Sequence, residues 1–174
     1  MKASGTIPLY FGYGKGKTTA AMGLCMRAAG AGMKVLLYQF LKDNTSNERC
    51  ILEKIPNITC LPGLDYEKFI WNMTEEEKQE KNRFCREKLQ EIRDMEQEYD
   101  LIFLDELLDT VSYGILEEEA LIQFMDSKND KTELVITGHE RHEEVIKHAD
   151  YVTEMVKVKH PYDEGYDSRE GIEH

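Results

Sequence analysis

Short apolar runs alternate with amphipathic stretches along most of the chain. The apolar runs predict strands at residues 7–11, 34–40, 57–61, 99–104, 133–137 and 151–158. The stretches between them predict helices at 17–31, 48–55, 74–98, 107–113 and 117–125, and a further helix completed by 145–149. Strand, helix and strand at this spacing form right-handed parallel crossover units. The pattern therefore predicts an α/β fold: a doubly wound, mostly parallel sheet with helices on both faces.

A glycine-rich segment separates the first predicted strand from the first predicted helix. It reads Gly12-Tyr13-Gly14-Lys15-Gly16-Lys17-Thr18-Thr19. Three glycines in five residues allow a tight turn whose backbone N–H groups face one concavity, and the following helix adds the positive end of its dipole. Lys17 would place a charge on bound phosphates, and Thr18 would offer its hydroxyl to Mg²⁺. The segment predicts a phosphate-binding loop and a P-loop NTPase-like (RecA-like) three-layer αβα architecture.

The loop departs from the standard pattern by one residue. That pattern requires glycine five positions before Gly16, where this chain has Phe11, so Gly12 comes one position late. A loop shortened in this way would hold a phosphate chain in an unusual register. The alternative interpretation is a glycine turn that only joins a strand to a helix. The ordered combination of strand, glycines, Gly-Lys-Thr and helix favours phosphate binding.

Two acids follow the predicted strand at 99–104. Asp105 and Glu106 occupy the position at which nucleotide-binding sheets hold Mg²⁺ directly or through water. The alternative is that both acids belong to the first turn of a helix, where the helix dipole favours negative charge. The loop upstream favours the metal-binding interpretation.

Three further strand ends carry candidate contacts. Lys42 follows the second predicted strand, where open parallel sheets bind their ligands. His139 and Arg141 follow the strand at 133–137 as possible phosphate or substrate contacts, with a surface turn as the equal alternative. The histidines of this segment are three residues apart rather than four, which excludes the helical zinc motif. In the 64–73 segment, Phe69 and Trp71 could pack on the core or face a flat ligand, and the residues alone favour the core.

Composition narrows the class of protein. At 174 residues the chain is expected to be one domain, 1–174, with a polar C-terminal tail from about residue 159. A formal charge of −12 without a basic cluster argues against nucleic acid as a partner. There is no long apolar run and no signal-like amino terminus, so no membrane association is expected and the cytoplasm is the expected location. The cysteines are spread singly, as reduced thiols are, at positions 25, 50, 60 and 85.

These residues together resemble the P-loop type of ATP:corrinoid adenosyltransferases, over nearly the whole chain. The resemblance is carried by Gly12 to Ala21, Gln39-Phe40-Leu41-Lys42, Phe69-x-Trp71, Leu104-Asp105-Glu106-Leu107, Thr137-Gly138, Ala149-Asp150, Glu154-Met155, Val158-Lys159-His160-Pro161 and Arg169-Glu170-Gly171-Ile172-Glu173. It implies transfer of the 5′-deoxyadenosyl group of ATP to Co(I) of a reduced corrinoid, with the whole triphosphate as leaving group. It also implies a homodimer and an electron donor such as a flavodoxin or flavin reductase.

The resemblance assigns roles to individual residues. The ATP contacts are Gly12, Tyr13, Gly14, Lys15, Gly16, Lys17, Thr18, Thr19, Asp105, His139 and Arg141. Mg²⁺ would be held by Thr18 and Glu106, with Asp105 as a second ligand or as a group behind the ligands. Phe69 and Trp71 match the aromatic pair that crowds the lower corrin face and eases reduction of Co(II), and Phe40 and Lys42 are assigned to corrinoid binding.

The sequence also departs from this family. The family usually has arginine after Thr137-Gly138, where this chain has His139; its Lys-Gly becomes Lys42-Asp43 and its closing tyrosine becomes His174. Many members have an amino-terminal helix over the site, which we do not expect from a sequence that starts this close to the first strand. The first alternative is a small-molecule kinase, which would normally require arginines in a lid, and residues 107–131 contain no arginine. The second alternative is an ATP-binding switch or a corrinoid-carrying partner that binds ATP without turnover.

Overall fold

The computed structural model describes residues 4–63 and 73–172. The strands are β1 (Pro8–Phe11), β2 (Val35–Gln39), β3 (Ile58–Cys60), β4 (Leu101–Asp105), β5 (Glu133–Thr137) and β6 (Tyr151–Glu154). The α-helices are α1 (Lys17–Gly30), α2 (Arg49–Leu52), α3 (Glu75–Met95), α4 (Leu107–Ser112), α5 (Glu118–Asp126) and α6 (Glu143–Lys147). Each predicted strand and helix is found, with differences at the ends.

All six strands lie parallel in one sheet, in the order β3-β2-β4-β5-β1-β6. Alternate residues of the central strands enter two separate apolar clusters. Leu36, Ile102 and Ile136 pack on one face with side chains of α3, α4 and α5, whereas Leu37 and Phe103 pack on the other face with α1. The predicted doubly wound α/β fold with helices on both faces is confirmed.

The long helix α3 begins as its sequence predicts. The Thr74 hydroxyl accepts the backbone N–H of Glu77, and the Glu77 side chain accepts the backbone N–H of Thr74. This capping box satisfies two N–H groups that the first helical turn leaves without partners. Along the helix, Cys85, Leu89 and Ile92 are buried, so the predicted apolar stripe is the face that covers the sheet.

Two predicted elements are shorter than their sequence patterns. The strand predicted at 151–158 ends at Glu154, because its only neighbour in the sheet, β1, ends at Phe11, the residue paired with Glu154. The helix predicted at 48–55 is regular only over Arg49–Leu52. Ile55 precedes Pro56, and a residue before proline is disfavoured in the helical region.

The carboxyl ends of four neighbouring strands, β2, β4, β5 and β1, lie side by side at one edge of the sheet. The glycine-rich segment follows β1, Lys42 follows β2, and the acids close β4. Within the described ranges, no helix combines the length and apolar character needed to cross a membrane.

Candidate functional site

The glycine-rich loop between β1 and α1 lies against the segments that follow β5 and β6. The backbone N–H of Gly12 donates to the carbonyl of His139 at 3.0 Å, and that of Gly14 donates to the carbonyl of Met155 at 2.6 Å. A Cβ added to Gly12 or Gly14 would come within 2.5 or 2.6 Å of the Met155 carbonyl oxygen. The close approach of the backbone therefore requires glycine at both positions.

The first turn of α1 has no side-chain cap. Gly16, which precedes the helix, has a φ of 113°, a left-handed conformation suited to glycine, and offers no side-chain acceptor. No acidic residue lies in the first turn either. The first backbone N–H groups and the positive end of the helix dipole are therefore available to an anion.

Gly14→Ala is expected to lower the free energy of unfolding by about 1–3 kcal/mol, because the new methyl group would overlap the carbonyl oxygens of Met155 and Val156. Gly23→Ala is the matched control: Gly23 lies within α1, and an added Cβ meets nothing within 4 Å. It should be neutral or stabilising by about 0.5–1 kcal/mol. Urea unfolding of both variants tests this, and equal stability of the two would contradict it.

Lys17 is the first residue of α1 and is partly buried at the loop. Its Nζ donates to the carbonyl of Gly14 at 3.2 Å. Burial lowers the pKa of Lys17, and the carboxylates of Asp109, Glu106 and Asp105 offset only part of that change. A bound polyphosphate would supply the negative charge that the ammonium lacks here.

Asp105 is the hub of hydrogen bonds beside the loop. The residue is fully buried. Its Oδ1 accepts from the hydroxyls of Thr18 at 2.9 Å and Thr137 at 2.8 Å, and its Oδ2 accepts from Gln39 Nε2 at 3.0 Å and Lys42 Nζ at 2.8 Å. With four donors its oxygens are fully engaged, so Asp105 fixes the groups around it.

Glu106 faces the site from the start of α4 in an unusual backbone conformation. Its φ of 57° is the one positive value at a non-glycine residue in the described ranges, and its N–H donates to the Thr137 hydroxyl at 2.9 Å. Such conformations are costly and concentrate at functional sites. Burial raises the pKa of Glu106, opposed by Lys42 and reinforced by the neighbouring carboxylates of Asp105 and Asp109. A cation beside Glu106 would relieve this.

Lys42 joins the two acids. Its Nζ lies 2.8 Å from Asp105 Oδ2 and 3.4 Å from Glu106 Oε1, and 3.5 Å from the Thr18 hydroxyl. Burial works against the charged form, but the two carboxylates outweigh it and raise the pKa of Lys42. Its ammonium therefore supplies positive charge at the point where the predicted metal ligands meet.

The structure also places His139 and Arg141 near the loop, with different surroundings. The His139 ring centroid lies 5.9 Å from that of Tyr13, and its Nδ1 lies 3.0 Å from Asp109 Oδ2. Arg141 is paired with Glu143 at 2.7 Å and with Glu154 at 3.7 Å. Asp109 was not a candidate from sequence, since an acid inside a predicted helix carries no signal of what faces it.

A second cluster, formed by Ser112, His142 and Glu118, contacts the segment between β5 and α6. The Ser112 hydroxyl lies 2.9 Å from His142 Nε2, and His142 Nδ1 lies 2.9 Å from Glu118 Oε2. These residues belong to α4, the start of α6 and α5. The cluster, which sequence reasoning also missed, ties the segment between β5 and α6 to both helices.

The residues assigned to the corrinoid differ in accessibility. Phe40 is 2% exposed and packs edge to face on Tyr38 at 4.8 Å, so its ring belongs to the core in this structure. Lys42 is partly exposed. Phe69 and Trp71 lie outside the described residues. In the phosphate loop, Tyr13, Lys15 and Thr19 are exposed, and their assignment to ATP stays a prediction.

Oxygen donors, rather than a cluster of acids and histidines, characterise the predicted metal site. Within residues 4–63 and 73–172 no group of three or more His, Cys, Asp or Glu side chains is arranged to hold a metal. Thr18 and Glu106 offer a hydroxyl and a partly exposed carboxylate beside the phosphate loop. Mg²⁺ is commonly bound by one or two protein oxygens together with substrate phosphates and water, so this donor set fits Mg²⁺ once a nucleotide is present.

A family model and related sequences agree on one family. The family model of ATP:corrinoid adenosyltransferase BtuR/CobO/CobP matches residues 3–174. The chain is 34% identical over 177 residues to a corrinoid adenosyltransferase of Escherichia coli (strain K12), covering 98% of this chain and 86% of that protein. Identity to a corrinoid adenosyltransferase of Salmonella typhimurium (strain LT2) is 33% over 175 residues, with 98% and 86% covered. Among solved structures, EssC (ATPases 2 and 3) from Geobacillus thermodenitrificans gives a TM-score of 0.49 at 19% identity, over 97% of this chain and 36% of that one.

Proposed function

The chain belongs to the ATP:corrinoid adenosyltransferase family, and from this premise we propose that it transfers the 5′-deoxyadenosyl group of ATP to Co(I) of a reduced corrinoid. The C5′–O bond breaks as the Co–C bond forms, and the electron pair leaves with the triphosphate. The reaction would serve adenosylcobalamin synthesis or salvage. The sequence resemblance to this family is confirmed, and the enzyme is a transferase.

One observation supports this proposal most strongly. The glycine-rich loop, the uncapped start of α1 with Lys17, and the acids Asp105 and Glu106 all lie where four neighbouring strands end. Lys17 stands at the start of α1, and Asp105 positions both the Thr18 hydroxyl and Lys42. The arrangement offers positive charge and N–H groups to a polyphosphate. Stabilising negative charge that develops on a leaving group is among the largest contributions an enzyme can make.

In this reaction the protein must align the reacting groups rather than transfer a proton. Co(I) is itself the nucleophile, so neither a general base nor a nucleophilic side chain is required. The loop would hold the triphosphate, and the enzyme would bring C5′ into line with the cobalt. Lys17, with Lys15 beside it, would stabilise the charge that grows on the departing triphosphate. The loop that is one residue short would suit a nucleotide bound with C5′, rather than the γ-phosphate, exposed.

Thr18 and Glu106 are the proposed ligands of Mg²⁺, and Asp105 the group behind them. All four hydrogen-bonding contacts of Asp105 are already directed to side chains of the protein, which favours a role in orienting Thr18 over direct ligation. When bound, Mg²⁺ would neutralise charge on the phosphates. Glu106, partly exposed at the start of α4, would offer its carboxylate to the metal.

The corrinoid side of the site is proposed from the resemblance. Phe69 and Trp71 would crowd the lower face of the corrin, and Lys42 would lie at its edge. Phe40, buried against Tyr38, would act by supporting the segment that follows β2. A homodimer and an electron donor such as a flavodoxin or flavin reductase complete the proposal.

The proposal is tested by anaerobic incubation of the protein with Mg²⁺, ATP and chemically reduced cob(I)alamin. The visible spectrum should show a light-sensitive adenosylated product, and inorganic triphosphate should appear in equal amount. Release of ADP would instead indicate a kinase, and binding of ATP without turnover a switch. If cob(I)alamin gives no product, the same assay with an incomplete corrinoid decides between acceptor preference and failure of the proposal.

Trp71→Ala should leave the affinity for ATP nearly unchanged and slow product formation when Co(II) must be reduced on the enzyme. The reason is that the resemblance places Trp71 at the corrin, away from the phosphates. Product formation is followed from cob(II)alamin with a reductase and from chemically prepared cob(I)alamin, which serves as the control. An equal loss of ATP affinity and of both rates would rule out this role.

A further inference from the structure

A buried carboxylate near the phosphate loop is paired with one residue. Asp109 lies on α4, and 3% of its side chain is exposed. Its Oδ1 accepts the backbone N–H of His139 at 2.8 Å, and its Oδ2 lies 3.0 Å from Nδ1 of the same residue. A carboxylate withdrawn from water is costly unless it is hydrogen-bonded or paired with a charge. Asp109 and His139 therefore hold each other in place.

The pairing fixes the chemistry of the imidazole. A carboxylate can only accept, so Nδ1 of His139 carries the proton that lies between the two side chains. The opposite nitrogen, Nε2, points away from Asp109, and 42% of the His139 side chain is exposed. Nε2 can donate to an anion only when it also carries a hydrogen.

His139 contacts the glycine-rich loop through its backbone and its ring. Its carbonyl accepts the backbone N–H of Gly12 at 3.0 Å, and the ring lies at a tilt of 50° to that of Tyr13. Asp109 also acts on Lys17: burial lowers the pKa of Lys17, and the carboxylate of Asp109 offsets part of that change. Asp109 is therefore close to both His139 and Lys17.

The other candidate cation of this segment is engaged elsewhere. The guanidinium of Arg141 is paired with Glu143 at 2.7 Å and Glu154 at 3.7 Å, and half of its side chain is exposed. Releasing it toward a phosphate would break both pairs. The Asp109–His139 pair needs no such rearrangement.

We infer that Asp109 is a positioning residue that holds His139 as a hydrogen-bonding contact for the triphosphate of ATP, acting together with Lys17. The inference rests on the proposed function, and deepens it by making one phosphate contact depend on the buried carboxylate that orients the imidazole.

Inorganic triphosphate is the probe, and its affinity is measured by titration calorimetry without corrinoid. Asp109→Asn keeps an acceptor for the backbone N–H and removes the charge, and should weaken binding about tenfold. His139→Arg carries a permanent charge, and should bind within about twofold of the wild type. In the His139→Arg background, Asp109→Asn should add little, because the arginine does not need Asp109 in order to carry its charge.

His139→Ala, at a partly exposed position, keeps the test decisive if Asp109→Asn fails to fold. It should reproduce the loss of triphosphate affinity expected for Asp109→Asn. Equal weakening by Asp109→Asn in both backgrounds, or unchanged binding by His139→Ala, would overturn the inference and leave the proposed function standing. Absence of triphosphate binding by the wild type would overturn both.

Discussion

Lys17→Ala is expected to lower kcat/KM for ATP by at least about 100-fold, the scale seen when one preorganised donor to a developing negative charge is removed. Lys17 stands at the first turn of α1, and its Nζ contacts the Gly14 carbonyl of the phosphate loop. Its ammonium would face the triphosphate as charge accumulates there. Steady-state rates of triphosphate release measure the loss.

The same substitution should leave the fold intact. Burial disfavours the ammonium and lowers the pKa of Lys17 in the folded protein, so the charge is not a source of folding stability. The free energy of unfolding should stay unchanged or rise slightly, as thermal or urea unfolding can show. Lys34→Ala is the matched control, because Lys34 is exposed just before β2, at the opposite edge of the sheet. A rate near the wild-type value for Lys17→Ala would contradict phosphate binding at this loop.

Asp105→Ala is expected to destabilise the protein by about 2–4 kcal/mol, because each buried donor left without its acceptor costs about 1–3 kcal/mol. The side chains of Gln39 and Thr137 are buried and would lose an acceptor, whereas Lys42 is partly exposed and would keep its pairing with Glu106. Activity should fall as well, because Asp105 would no longer hold the Thr18 hydroxyl and fix the position of Lys42.

Urea unfolding and ATP binding measure the two effects separately. Asp43→Ala is the control acid: Asp43 is partly exposed and its carboxylate accepts only from Thr45 among the contacts described for it, so its loss should change stability by no more than about 0.5 kcal/mol. Asp105→Asn should be milder than Asp105→Ala, since the amide retains one acceptor oxygen. If Asp105→Ala lowers the free energy of unfolding by less than about 1 kcal/mol, the hydrogen bonds of Asp105 do not stabilise the fold as expected.

The elements of the fold follow from signals that are local in the sequence. Apolar runs gave all six strands, and the capping box at Thr74 placed the start of α3 within one residue. The glycine spacing located the tight turn between β1 and α1, whose close packing against Met155 forbids side chains at Gly12 and Gly14; phosphate binding by this turn stays a prediction. These features depend on residues a few positions apart, so periodicity and backbone sterics suffice to predict them.

The partners within the site could not be read in the same way. Asp105 meets Lys42, and Asp109 meets His139, across 63 and 30 residues of chain. Such contacts depend on strand order and on the direction in which each helix leaves the sheet. Phe40 illustrates the converse, because the family resemblance assigned it to the corrinoid, whereas its ring packs in the core against Tyr38.

The sequence by itself thus determined the α/β class, the glycine-rich turn between β1 and α1, the two acids that follow β4 and the family. Only the tertiary structure decided that β2, β4, β5 and β1 are neighbours, which brings Lys42 between the two acids and sets His139 on Asp109. The physical reason is that hydrophobic periodicity and glycine spacing are properties of residues a few positions apart. A buried charged side chain, in contrast, needs a partner within hydrogen-bonding distance, and that partner is distant in sequence and is placed there by the packing of the sheet.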